Sequence, residues 1–252
     1  MQEGAFIWYD LATTDPEAAA RFYSTVVGWT PEPVPEMHYT LLKTGESRAA
    51  GLMALPEQVR SAGVPPHWTG YVMVGDVDGV AQRAQAAGAT LRHGPEDIPG
   101  VGRFAVITDP QGAPINLFKP NGQGEPEPGF MTPGRVGWHE LHARDWESAF
   151  GFYSGLFGWE REQAMDMGPM GTYQMFGYGG AGRGGMMNAM QNGGHASWLY
   201  YFVVSGIDLA VRRVQEAGGL VYHGPQEVPG GAWIIQGRDP QGAQFALVSA
   251  QR

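Results

Sequence analysis

The 252-residue chain has no cysteine, a net charge of −9 and only two lysines, Lys43 and Lys119. This excludes disulfides, thiolate metal ligands and cysteine nucleophiles, and it leaves no basic stripe to replace the counterions of a nucleic-acid backbone. No run of 18 apolar residues is present to span a membrane, and the start MQEGAFIWYD lacks the basic head and apolar core of a signal peptide, so the cytosol is the expected compartment.

In chain order, Ala5 to Thr13 reads as a strand. Asp15 then offers a helix N-cap, Pro16 an N1 residue and Glu17 a first-turn acid. Ala18/Ala19, Phe22/Tyr23 and Val26 give that helix an apolar face, and Gly28 ends it. A proline-broken stretch (Pro31, Pro33, Pro35) leads to a short strand at Tyr39 to Leu42, and Ala50 to Ala54 returns as another. Trp68 to Val74 is the next strand. Asp78 is expected to cap a second helix carrying Val80, Ala84 and Ala87, which Gly88 closes. Leu91 to His93, Phe104 to Thr108 and Ala113 to Phe118 follow as strands, the last two joined by the turn Asp109-Pro110-Gln111-Gly112.

The chain then writes the same text again. FIWYDLATTDPEAAARFYSTVVGW (Phe6 to Trp29) aligns without a gap on VGWHELHARDWESAFGFYSGLFGW (Val136 to Trp159), at an offset of 130 residues. Asp208, Gly218, His223-Gly224-Pro225 and Asp239-Pro240-Gln241-Gly242 repeat the later signals at that spacing. Lys119 to Arg135, rich in Pro, Gly and Glu, has no periodicity and reads as a linker. The expected domains are therefore 1–120 and 135–252, joined by 121–134. Each is a pair of βαβββ units, an α+β arrangement.

Paired βαβββ units with a strand–Asp–helix–FY…GW opening and a DPQGA hairpin resemble the vicinal oxygen chelate superfamily, which includes glyoxalases, bleomycin-resistance proteins and extradiol dioxygenases. With Gly184 to Met187 (GGMM), the tandem form is similar to the two-domain actinobacterial proteins called 27 kDa antigen or hydroxylase-like. The resemblance implies that each pair of units rolls an eight-stranded sheet around a cup. By strand alternation, Trp8, Asp10 and Ala12 would face one cup, and Trp138, Glu140 and His142 the other. Tyr71, Asn116 and Phe118 would join the first cup, with Tyr201, Ala246 and Val248 in the second.

Metal-using members of the family take ligands from the first, fifth and last strands. Here those positions hold Trp8, Thr69 and Asn116, then Trp138, Leu199 and Ala246, a set poor in the N and O donors a divalent ion needs. No cofactor is expected on that ground. A different divalent-metal site, from Glu140, His142 and His195, stays open beside a plain polar-rim role for those residues. His38, His67, His93 and His223 read as surface or turn residues.

Trp8, Tyr71, Asn116, Phe118, Trp138 and Tyr201 are the candidate ligand-lining residues, because aromatic walls with a few polar groups suit a small molecule. The same aromatics could equally be core. Asp10, Glu140 and His142 are the candidate acid–base groups, although Asp10 could instead pair with Arg103. YGGAGRGG (Tyr178 to Gly185) lacks the Lys-Ser/Thr of a phosphate cradle and reads as a flexible hairpin or lid. Three functions fit these features: a binding protein for a flat small molecule, an enzyme of the glyoxalase/dioxygenase kind, or a scaffold acting through association. The expected partner is a small molecule, with a homodimer left open and neither nucleic acid nor membrane involved.

Overall fold

The computed structural model of the chain describes residues 2–122, 129, 131–188 and 196–252. The first half runs β1 (Phe6–Thr13), α1 (Pro16–Val26), β2 (Thr30–Val34), β3 (Tyr39–Thr44), β4 (Ser47–Ala54), α2 (Glu57–Ser61), β5 (His67–Met73), α3 (Val77–Ala86), β6 (Thr90–Ile98), β7 (Gly102–Thr108) and β8 (Pro114–Pro120). The second half runs β9 (Val136–Ala143), α4 (Trp146–Phe157), β10 (Glu160–Asp166), β11 (Thr172–Tyr178), β12 (Ala181–Asn188), β13 (Ser197–Val203), α5 (Ile207–Glu216), β14 (Leu220–Glu227), β15 (Trp233–Arg238) and β16 (Gln244–Ser249).

Each half makes one open eight-stranded sheet, in the orders β2-β3-β4-β1-β5-β8-β7-β6 and β10-β11-β12-β9-β13-β16-β15-β14. The sheets are mixed: β1 with β4 and β5 with β8 are parallel, and the β2-β3-β4 and β6-β7-β8 meanders are antiparallel.

Local chemistry explains most boundaries. Asp15 and Asp145 take the extended backbone of an N-cap and accept N–H groups of the first helical turn. Asp109 and Asp239 close their hairpins by accepting from the backbone of the residues two and four further on.

Two helix caps need correction, and two connecting stretches gain definition. The stretch with Pro31 and Pro33 is a strand, β2; it lies at the edge of its sheet, where a missing N–H costs no ladder bond. Asp78 is not the cap of α3: Asp76, two residues earlier, has the extended backbone and accepts from Gly79 N. Asp208 likewise sits inside the first turn of α5, whose N-cap is Gly206. The glycine-rich segment is a regular hairpin between β11 and β12, turned at Gly179 and Gly180, both at positive φ. Of the expected linker, 123–128 and 130 lie outside the described residues, while Gly134 N donates to Val203 O.

By contact, the chain divides into two compact units, and each takes one βαβββ module from each half. One contains Met1–Ile7, Thr69–Glu127 and His139–Trp198; the other contains Trp8–Trp68, Pro128–Trp138 and Leu199–Arg252. The FY…GW motif is the internal glue of both. In the first unit, Tyr153 donates to Asp109 Oδ2 at 2.9 Å and accepts from Trp198 Nε1, while Trp159 Nε1 donates to Gly4 O. In the second, Tyr23 donates to Asp239 Oδ2 at 3.2 Å and accepts from Trp68 Nε1, while Trp29 Nε1 donates to Gly134 O. Each motif tyrosine thus meets the turn aspartate of the other half. Burial pushes both aspartates above the usual carboxylate range, against the backbone and tyrosine hydrogen bonds that oppose it.

Candidate functional site

The opening strands place their side chains as alternation requires. Trp8 Nε1 donates to Asp10 Oδ1 at 2.8 Å, so residues i and i+2 share a face. Tyr9 points the other way and meets the ring of Tyr200 edge-on at 5.3 Å. On β9, His142 Nε2 lies 2.7 Å from Glu140 Oε1, which puts those two on one face as well.

A tyrosine completes each of these groups, and sequence reading did not find it. Tyr39 donates to Asp10 Oδ1 at 2.5 Å and also accepts from Trp8 Nε1 at 2.9 Å. Tyr173, 134 residues further on, donates to Glu140 Oε2 at 3.1 Å. Both acids are buried, at 5% and 7% exposure. Room for each ring comes from a glycine opposite the acid in the β1–β4 or β9–β12 register, Gly51 against Asp10 and Gly185 against Glu140. A Cβ on Gly51 would lie 1.5 Å from the Tyr39 hydroxyl oxygen, and one on Gly185 would lie 2.1 Å from the Tyr173 ring. The sequence signal was available: a tyrosine and a glycine that both recur at an offset of 134.

The two centres differ in their third member. In the first half it is an indole, which only donates. In the second it is His142, with a side chain 16% exposed. Burial by itself would lower the His142 pKa; the hydrogen bond and charge of Glu140 outweigh it, and the pKa ends above the ordinary histidine value. A carboxylate bonded to a phenol on one oxygen and an imidazole on the other can hold a proton and hand it on. Next along the strand, His139 is wholly buried, stacked on Phe6 at 4.2 Å with Nδ1 2.7 Å from Arg183 O. Burial drives its pKa down to about 4, helped by the charge of Arg183 and resisted by that hydrogen bond.

The remaining candidates separate into two environments. Leu199, Tyr201, Val203, Ala246 and Val248 form a buried cluster on which Trp138 packs, and Gln236 Nε2 donates to the Tyr201 hydroxyl. In the first half, Tyr71 and Phe118 meet edge-to-face at 5.9 Å and are only half-buried, beside a fully buried Asn116. Arg103 does not pair with Asp10; it binds Asp78 and Asp97, because it lies on β7, in register with Asp97. His93 is held by Glu96, and His67 Nδ1 lies 2.8 Å from Pro65 O.

The residues at the family's metal positions fit an ion poorly. The Trp8 indole N–H is already donated to Asp10 and Tyr39, and Trp138, Leu199 and Ala246 belong to the apolar cluster. Only Thr69 and Asn116 bring an oxygen. Among the described residues no group of three or more His, Asp or Glu converges to hold a metal, and His195 lies outside the described residues.

Comparison with known proteins agrees with this architecture. Residues 7–118 match the glyoxalase-like domain, and residues 135–247 match the glyoxalase/bleomycin resistance protein/dioxygenase superfamily. The chain is 30% identical over 251 residues to the protein named "Putative glyoxylase CFP32" of Mycobacterium tuberculosis, covering 98% of this chain and 95% of that one. It is 30% identical over 267 residues to the anthracycline biosynthesis protein DauV of Streptomyces sp. strain C5, covering 97% and 93%.

Solved structures of similar fold include the Mn(II)-bound glyoxalase of Novosphingobium aromaticivorans. Its TM-score is 0.69 at 14% identity, covering 100% of this chain and 83% of that chain. Homoprotocatechuate 2,3-dioxygenase of Brevibacterium fuscum gives 0.71 at 15% identity, covering 98% and 80%. No helix among the described residues is long and apolar enough to cross a membrane. The chain belongs to the vicinal oxygen chelate superfamily, the glyoxalase/bleomycin resistance protein/dioxygenase group, with two such domains in tandem.

Proposed function

We propose that the chain binds a partly aromatic small molecule without a metal ion, and that Glu140, with His142 and Tyr173, is the polar centre that orients it. Tyr71, Asn116 and Phe118 are the proposed lining residues, with Asp10, bonded to Trp8, the counterpart of Glu140 in the first half; Trp138 and Tyr201 belong to the apolar cluster instead. The observation that carries this reading is the buried Glu140 carboxylate, engaged by an imidazole at 2.7 Å and a phenol at 3.1 Å. Burying an acid carries a desolvation cost, and acids held this way with titratable partners cluster at sites of recognition or proton transfer. The repeat supports the reading, because Asp10 with Tyr39 builds the same acid–phenol pair.

A second reading is favoured by His142. With its pKa raised by Glu140, it holds a proton more readily than a free imidazole, and the centre then acts as a metal-free general acid–base catalyst for an isomerase- or lyase-type step. In both readings the chain is expected to act as a monomer or homodimer on small molecules, not on nucleic acid or membranes.

The test is a titration of a panel of aromatic acids, ketones and quinones, followed by tryptophan fluorescence in wild type and Glu140→Gln. Saturable quenching weakened at least tenfold in the variant supports the reading. Equal quenching in both proteins overturns Glu140 as its centre. Turnover of any bound compound that fails in His142→Gln while binding persists selects the catalytic reading.

A further inference from the structure

The duplication pairs each residue of β5 and β8 with a counterpart 130 positions later, and one face breaks the symmetry. Strand β13 presents Leu199, Tyr201 and Val203 beside Ala246 and Val248 of β16, and all five are at most 6% exposed. That face is sealed and apolar. Its counterpart, on β5 and β8, carries Thr69, Tyr71, Met73, Asn116 and Phe118, four of them half-buried. Where the sealed face has Ala246, the open one has Asn116, whose Oδ1 is buried and has no hydrogen-bond partner.

Three observations place that amide on the open face. Asn116 and Phe118 are two apart on one strand, Asn116 is in register with Tyr71 on the parallel neighbour β5, and the rings of Tyr71 and Phe118 touch. An amide oxygen withdrawn from water without a partner is a cost that folding does not recover. The sibling face avoids it with an alanine.

We propose that Asn116 is the hydrogen-bond acceptor of a binding site on the β5–β8 face, for a planar, uncharged ring bearing one N–H or O–H donor at its edge, seated against Tyr71 and Phe118. This rests on the reading that the chain binds a partly aromatic molecule, and it names the acceptor of that molecule's donor group, a residue distinct from Glu140. The half-buried rings supply the apolar and edge-to-face contacts. The lone amide oxygen demands a donor and rejects an otherwise identical ring without one.

The test uses indole and 1-methylindole, which differ by the one donor hydrogen, titrated against the full chain with the Asn116 side-chain amide followed by two-dimensional NMR. Indole is expected to shift that amide and to bind about tenfold more tightly than 1-methylindole, the ratio of one buried hydrogen bond. Asn116→Ala, which copies the sibling residue and removes an unpartnered polar group, is expected to stay folded and to bring the two affinities within about twofold. Tyr71→Ala should weaken both probes.

Equal affinities in wild type, discrimination that survives Asn116→Ala, or no binding of indole would each overturn the assignment. Glu140→Gln is run in parallel: indole binding that ignores it while heeding Asn116 assigns the contact to Asn116. If ligands of the wider panel lose affinity in Glu140→Gln but not in Asn116→Ala, the general reading stands and this one falls.

Discussion

Gly185→Ala offers a direct perturbation of the Glu140 centre that leaves its three members chemically intact. The added carbon would sit 2.1, 2.2 and 2.4 Å from Cε1, Cζ and the hydroxyl oxygen of Tyr173. Non-bonded carbons settle at about 3.5–4.0 Å, so the ring must retreat by roughly 1.4 Å or more. Its hydroxyl, now 3.1 Å from Glu140 Oε2, then leaves hydrogen-bonding distance. Losing a bond to a charged acceptor costs about 1.5–3 kcal/mol, and crowding a packed site costs about 1–3 kcal/mol.

Urea denaturation should therefore show Gly185→Ala less stable by about 2.5–6 kcal/mol. Tyr173→Phe, which removes the hydroxyl alone, should lose about 1.5–3 kcal/mol. Gly151→Ala is the control: this exposed position in α4 has open space around its Cβ, so alanine should add about 0.5–1 kcal/mol. In a Tyr173→Ala background the Gly185 substitution should cost little, because the clash is gone. An undiminished cost in that background would refute the packing argument.

Three further outcomes follow from the geometry. The folded His139 pKa of about 4 lies below the unfolded value, so its contribution is complete above about pH 6.5 and is lost as pH falls toward 4. The loss amounts to about 3 kcal/mol and should be absent in His139→Gln when denaturation is followed against pH. His142 has the opposite sign: its raised pKa gives stability that is complete below about pH 6.5 and fades as pH rises through the folded value. Imidazole NMR titration should find that value lowered in Glu140→Gln. Tyr153→Phe strips a donor from Asp109 and an acceptor from Trp198, both buried, and should cost about 2–4 kcal/mol by calorimetry; Tyr23→Phe should do the same through Asp239 and Trp68.

What the sequence made legible was whatever depends on near neighbours. Alternation put Trp8 beside Asp10 and Glu140 beside His142, and the Asp15 cap and both Asp-Pro-Gln-Gly turns are set within a few residues. What stayed hidden depends on distant register. Tyr39 and Tyr173 reach their acids across the sheet from two strands away, over glycines whose lack of a side chain looked like flexibility. The FY…GW tyrosines were visible as a repeat, but their aspartate partners belong to the other half, up to 216 residues away. The α3 cap was misplaced because Asp76 and Asp78 both satisfy the composition rule, and only backbone conformation separates them.

The central claim is that a carboxylate, an imidazole and a phenol at the Glu140 centre hold protons and a ligand, with no metal ion between them. Its most direct test is the transition-metal content of untagged protein purified without chelators. We expect far less than one ion per chain, unchanged in Glu140→Gln. One tightly held ion per chain, lost in that variant, would contradict the account.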